Sequence, residues 1–219
     1  MNGPPHRYAY LHGFASSSLS RKGVYLREVF RGRGLELELP DLNVPTFEAM
    51  TFSAMLAALD ARDAAAGGDP FLWRLIGSSM GGYLAARWAE LRPDRVDRLV
   101  LLCPGLEMVA RWPELVGEES FRRWEAEGRF EMEDGAGVAR PLHWGFVEDA
   151  RTHPALPEPA CPALILHGRR DDVVPVELSR RYAADRANVR LIELDDDHSL
   201  AGSLQVVARE ATCFFEIPD

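Results

Sequence analysis

Lysine is nearly missing from this chain. Of its 25 basic residues only Lys22 is a lysine, and the rest are arginine. The bias reads as coding preference and carries no chemistry by itself. Cysteine is scarce as well. Cys103, Cys161 and Cys213 are odd in number and show no C-x-x-C spacing, which excludes a disulfide framework and a cysteine zinc site. Reduced, buried thiols fit a cytoplasmic protein. Positive charge is in deficit, with Lys+Arg at 25 against Asp+Glu at 34 and a net charge of −9. Nucleic acid and anionic membranes both require clustered positive charge, so neither is expected as a partner. No run approaches the ~18 consecutive apolar residues of a membrane span. Residues 1–7 lead directly into a strand-like stretch, without the charged start and apolar run of a signal peptide. No two histidines stand at i, i+4 on a helix, so no metal is expected.

What is present is ordinary globular composition, 47% hydrophobic and 27% charged over 219 residues, enough for one domain with a sizeable core. Apolar runs and helical patterns alternate. Strands are expected at 8–11, 35–39, 71–76, 98–102, 163–166 and 189–194, the second alternating Leu-Glu-Leu-Glu-Leu as a strand near a sheet edge does. Helices are expected between them. One follows the Ser-rich loop 16–20, with Leu26, Val29 and Phe30 on one face. Another runs over 48–66, with Phe52, Met55, Leu56 and Leu59 at i, i+3, i+4, i+7, stopped by Gly67-Gly68-Asp69-Pro70. Further helices are expected at 80–91, from about Pro175-Val176, and at 203–215. Alternating strands and helices imply a parallel α/β sheet covered on both faces, here six strands in the order 2-1-3-4-5-6.

Residues 105–159 break this rhythm. They contain no convincing strand, a plausible helix at 114–127, and three of the five tryptophans, Trp112, Trp124 and Trp144. The segment is too long and too aromatic for a plain connection and reads as a helical cap inserted into a single domain that spans 1–219. The bland alternative is a structural layer with no substrate role.

The strongest chemical signal is Gly77-Ser78-Ser79-Met80-Gly81, a G-x-S-x-G pattern lying between an expected strand and an expected helix. A serine at such a turn is lifted clear of the sheet, and glycines two residues to either side avoid collision. Only Ser79 has glycine on both sides. Serine is a weak nucleophile without a base. Downstream, His167-Gly168-Arg169-Arg170-Asp171-Asp172-Val173-Val174-Pro175 follows the fifth strand, and His198 follows the sixth. Strand C-terminal ends meet on one edge of a parallel sheet, so Ser79, an acid at 171 or 172 and His198 can converge. His198 would shuttle the proton and the acid would orient its ring. Leu11-His12-Gly13-Phe14 leaves the first strand at the same edge. The Phe14 and Met80 amides would then form an oxyanion hole.

Together these residues resemble the α/β-hydrolase family over nearly the whole chain. The run from Tyr10 to Ser17 is similar to the short bacterial YqiA-type esterases. Gly77 to Gly82, the Trp-rich insertion and the His167 to Pro175 run are more similar to the acyl-protein thioesterase branch of abhydrolase-domain proteins. The resemblance maps the acid onto Asp171, with Asp172 in reserve. Two departures stand out: the usual opening hairpin is missing, and the oxyanion segment is His-Gly-Phe, with a bulky Phe14 at the mouth. The resulting expectation is a cofactor-free serine hydrolase acting on small-molecule esters of short to medium acyl chains. Trp112, Trp124 and Trp144 are expected to line its acyl pocket. The alternatives are an acyl-protein or acyl-CoA thioesterase, and a catalytically silent module that binds a ligand.

Overall fold

The computed structural model describes residues 4–67 and 70–218. The chain runs β1 (His6–Leu11), α1 (Arg21–Gly32), β2 (Leu37–Glu38), α2 (Phe52–Ala65), β3 (Leu72–Ser78), α3 (Met80–Leu91), β4 (Val96–Leu102), α4 (Met108–Val116), α5 (Glu118–Glu127), β5 (Arg129–Glu133), β6 (Ala139–His143), α6 (Gly145–Ala150), β7 (Ala163–Gly168), α7 (Val176–Ala184), β8 (Val189–Leu194) and α8 (Leu204–Phe214). The central sheet is parallel throughout, with order β2-β1-β3-β4-β7-β8. Counted along the sheet-forming strands, this is the expected 2-1-3-4-5-6.

Strand periodicity divides the core between the two faces. In β4, Leu99 and Leu101 join the cluster that holds α2, α3 and α7, whereas Val100 and Leu102 join the cluster that holds α1 and α8. The residues expected to form the buried face of α2, namely Phe52, Met55, Leu56 and Leu59, are buried. That helix starts at Phe52, capped by the Thr51 hydroxyl on the Ala54 amide. Of its expected stop signal, Gly68 and Asp69 lie outside the described residues. The edge strand β2 shrinks to two residues.

Three differences fall in the inserted segment. The single expected helix is two, α4 and α5, separated at Gly117, whose φ of 89° favours glycine. A short α6 was not expected. Above all, residues 129–143 form an antiparallel hairpin, β5 with β6, where no strand was expected. Its first strand, Arg-Phe-Glu-Met-Glu, alternates polar with apolar, but only Phe130 and Met132 are partly covered. The tip is stapled by Asp134, whose carboxylate accepts the Ala136 and Val138 amides at 2.8 and 3.0 Å.

Candidate active site

Ser79 is the single residue between the end of β3 and the start of α3, with φ 53° and ψ −119°. That backbone conformation is costly for any residue with a side chain, on the order of 1–3 kcal/mol. Main-chain bonds from three directions hold it. The Ser79 amide donates to the Leu102 carbonyl at 2.9 Å. Its carbonyl accepts from Gly82 at 2.9 Å, Tyr83 at 3.1 Å and Gly105 at 2.9 Å. The flanking glycines are required sterically. A Cβ on Gly77 would lie 2.3 Å from the Gly81 carbonyl oxygen, and one on Gly81 would lie 2.2 Å from that of Leu11. Gly13 approaches Ser79 from the other side; a Cβ there would stand 3.3 Å from the serine Cβ and 3.9 Å from its Oγ.

Asp171, in the loop after β7, is buried; Asp172 beside it is exposed. The Asp171 Oδ1 accepts the Val173 and Val174 amides at 2.9 and 2.7 Å. Its Oδ2 stands 2.7 Å from Nδ1 of His198. Of the two acids that the sequence leaves open, Asp171 is therefore the one against the imidazole. Burial pushes its carboxyl up, but hydrogen bonds from His167 and His198 and from the Val174 amide outweigh this and hold it well below the usual carboxylate range. An ionised Asp171 requires the proton on Nδ1 of His198, which leaves the Nε2 lone pair free to accept one.

His167 supports the acid, a role that sequence reading did not assign. Its Nε2 lies 2.8 Å from the Val174 carbonyl and 3.1 Å from Asp171 Oδ2, both acceptors, so that nitrogen carries the proton. Nδ1 then accepts the Ser179 hydroxyl at 2.8 Å. The signal was its place four residues before the acid, at the end of a buried strand.

His12 orients the segment expected to carry an oxyanion donor. Its Nε2 accepts the Leu42 amide at 2.9 Å, so Nδ1 is the protonated nitrogen and donates to the Gly13 carbonyl at 2.9 Å. Fixing that carbonyl fixes the Gly13–Phe14 peptide plane, and with it the direction of the Phe14 amide. Among the described residues, no backbone carbonyl takes the Phe14 or Met80 amide. Both donors remain available.

The aromatic insertion is packed more tightly than expected. Trp112 lies edge-on to Phe14, 5.2 Å between ring centroids, and its indole nitrogen is buried without a partner among the described residues. Trp124 has no exposed surface, donates to the Leu142 carbonyl at 3.0 Å and touches Trp112, Phe121, Phe130 and Trp144. The expectation that Trp124 lines a pocket is therefore corrected, because it is the hub of the insertion's own aromatic core. Trp144 packs on Phe121 and Trp124 in the same cluster. An apolar cavity of about 390 Å³ does lie beneath α4, but its walls include Phe52, Tyr83, Met108, Pro113, Phe121 and His153 and none of the three tryptophans. On α4, Arg111 donates to the Val173 carbonyl at 2.6 Å in the acid loop, next to the Trp112 contact with Phe14. At the hairpin tip, Gly135 presses on the Ser16 backbone, where a Cβ would come within 2.7 Å.

Strand order, the strained serine turn after β3 and the acid and histidine loops after β7 and β8 define the α/β-hydrolase fold. Solved structures agree. Est1E from Butyrivibrio proteoclasticus, in a structure with ferulic acid bound, superposes with a TM-score of 0.80 at 24% identity, covering 98% of this chain and 89% of that one. Alpha/beta hydrolase domain-containing protein 10 from mouse superposes with a TM-score of 0.78 at 19% identity, covering 99% and 91%. The chain belongs to the Uncharacterised protein family (UPF0227), whose model matches residues 7–209. It is also similar to the palmitoyl-protein thioesterase ABHD10, mitochondrial, of Mus musculus, 30% identical over 118 residues that make up 50% of this chain and 38% of that protein. The Homo sapiens counterpart matches at 30% over 118 residues, 50% of this chain and 37% of the relative. The chain thus spans well under half the length of these curated relatives. No helix among the described residues is long and apolar enough to cross a membrane.

Proposed function

We propose that the protein is a serine hydrolase that cleaves carboxylic esters of short to medium acyl chains through an acyl-enzyme on Ser79, with Asp171 and His198 completing the triad. The observation that carries this reading is the Asp171–His198 pair, with its tautomer fixed, on the same sheet edge as the strained Ser79 turn. In the first half-reaction Nε2 of His198 takes the Ser79 proton as Oγ attacks the carbonyl carbon. The Phe14 and Met80 amides stabilise the oxyanion, each such donor being worth ~2.7–4 kcal/mol of transition-state energy. His198 then protonates the leaving group, and water repeats the sequence to release the acid. No cofactor enters the scheme. The substrate is a small molecule, and neither nucleic acid nor membrane is part of the reading.

Segment 105–159 acts as the cap of this single domain. Phe14, walled by Phe47, Trp112 and Phe146 at centroid distances of 5.8, 5.2 and 5.6 Å, favours a short acyl pocket with Trp112 as its aromatic contact. Each buried CH₂ of an acyl chain gains ~0.8 kcal/mol only while there is room for it. A thioester substrate is the second reading, favoured by the printed name of the ABHD10 relatives. A cytoplasmic setting belongs to the proposal too, supported by three unbonded cysteines.

The test is a fluorophosphonate probe mapped by mass, followed by paired nitrophenyl esters and thioesters of rising chain length. We expect the adduct on Ser79. Ser79→Ala should lose both label and turnover without a change in Tm. Labelling of Ser78, or undiminished turnover by Ser79→Ala, refutes the assignment; a higher kcat/KM on thioesters selects the second reading.

A further inference from the structure

Lys22 is the chain's only lysine among 25 basic residues, and it lies beside the candidate base. It sits in the first turn of α1, where the helix is pressed unusually close to the sheet. A Cβ on the next residue, Gly23, would come within 2.8 Å of the Tyr10 ring. From there Nζ of Lys22 reaches the backbone carbonyl of His198 at 3.4 Å, across 176 positions of sequence. Among the described residues it forms no ion pair within 4 Å, unlike the arginines that bridge surface carboxylates throughout the chain.

Its surroundings are strongly acidic. Asp171, in the loop after β7, and Asp196 and Asp197, in the loop after β8, act on its charge; the Cys103 thiol just past β4 is kept protonated by burial. His167 lies just behind, against Asp171. Asp196 is buried and has an oxygen, Oδ2, with no hydrogen-bond partner among the described residues, so a nearby cation is its natural counter-charge. Burial pulls the Lys22 amine below the ordinary lysine value, while these acidic neighbours pull it back up.

We propose that Lys22 is a positioning residue for the proposed base: its ammonium pins the His198 carbonyl and holds a positive charge beside the Asp171–His198 pair. The choice of side chain fits the task. A compact ammonium on a flexible stem fits a crowded helix start, whereas the planar fork of arginine suits the bidentate surface pairs seen elsewhere. The electrostatic part of the role has a definite sign. A cation beside an imidazole disfavours its second proton, so removing the ammonium should make that proton easier to add.

This inference rests on His198 being the base, and its test has a readout independent of turnover. The His198 ring is titrated by NMR in wild type, Lys22→Met and, as a charge control on the same helix turn, the exposed Arg21→Met. In Lys22→Met the ring should take up its second proton at a pH higher by about one unit, and the acid limb of the kcat/KM profile should move upward with it. Arg21→Met should leave both in place. If Lys22→Met does not fold, Lys22→Gln is read in its stead. An unmoved His198 midpoint in a folded variant overturns the proposal, as does an equal shift in Arg21→Met. A shifted midpoint in a protein that hydrolyses neither esters nor thioesters would leave Lys22 confirmed as the cation set against His198 and would refute the hydrolase reading alone.

Discussion

Substituting Gly81 by alanine isolates the close approach on which the proposed site depends. A Cβ on Gly81 would lie 2.2 Å from the Leu11 carbonyl oxygen and 2.5 Å from that of His12. Both are main-chain atoms, so no rotamer change relieves the collision. Restoring an ordinary contact requires α3 and the end of β1 to part by more than ~1 Å. Overpacking a core costs ~1–3 kcal/mol, and two main-chain carbonyls at the end of β1 argue for the top of that range. For a domain of this size each kcal/mol lowers Tm by ~2–4 °C, so the expected drop is roughly 6–12 °C. The same separation carries the Phe14 amide away from Ser79, and a misplacement of ~1 Å costs about 100-fold in rate. Gly82→Ala is the matched comparison. Its Cβ would stand 3.1 Å from the Gly77 carbonyl oxygen and from Pro104 Cα. That milder crowding is offset by a helix-propensity gain of ~1 kcal/mol. Its Tm should therefore stay within ~3 °C of wild type. Thermal unfolding by circular dichroism and kcat/KM on nitrophenyl butyrate decide the matter. The reasoning fails if Gly81→Ala keeps wild-type Tm and activity, or if Gly82→Ala is the more damaging of the two.

Asp171→Asn should lose far more activity than Asp172→Asn, since the wrong imidazole tautomer costs ~10⁴-fold in the template triad; the reverse ranking would move the acid to the exposed neighbour. The same variant gives a pH signature. Folding depresses the Asp171 pKa, so the stability it contributes is fully present above its unfolded value of ~3.9 and is lost as pH falls below that. The Tm gap between wild type and Asp171→Asn should accordingly narrow from pH 5 to pH 2, and a constant gap would contradict the shift. Trp112→Ala should alter the chain-length profile of kcat/KM. Trp124→Ala, by contrast, should lower Tm with a cost of ~3–5 kcal/mol while leaving the profile's shape intact; exchange of these two phenotypes would reverse their assignments.

Most strands of the central sheet were legible because they carry dense apolar runs bounded by turn residues, as at 98–102 and 163–166, and the edge strand because its apolar residues alternate. The positions of Ser79, Asp171 and His198 were legible because each follows such a run at the same sheet edge. The β5–β6 hairpin was not. It has Arg, Glu and Pro on exposed positions, with Phe130 and Met132 partly covered and Leu142 alone fully buried, so the pattern that marks a half-buried strand is faint. Trp124 was misjudged for another reason: composition reveals that an insertion is aromatic, but not which way its rings face. Lys22 was dismissed because its partner is 176 residues away, a distance that no local spacing can register.

Arg111 and Trp112 are neighbours on α4, yet one grips the loop after β7 at Val173 and the other leans on Phe14, the proposed oxyanion donor. On the proposed reading, selectivity and turnover would then be coupled through a single turn of helix. Grafting a relative's insertion onto this sheet to change what it accepts would also retune how well it reacts, unless the incoming helix brings its own pair of contacts in the same register.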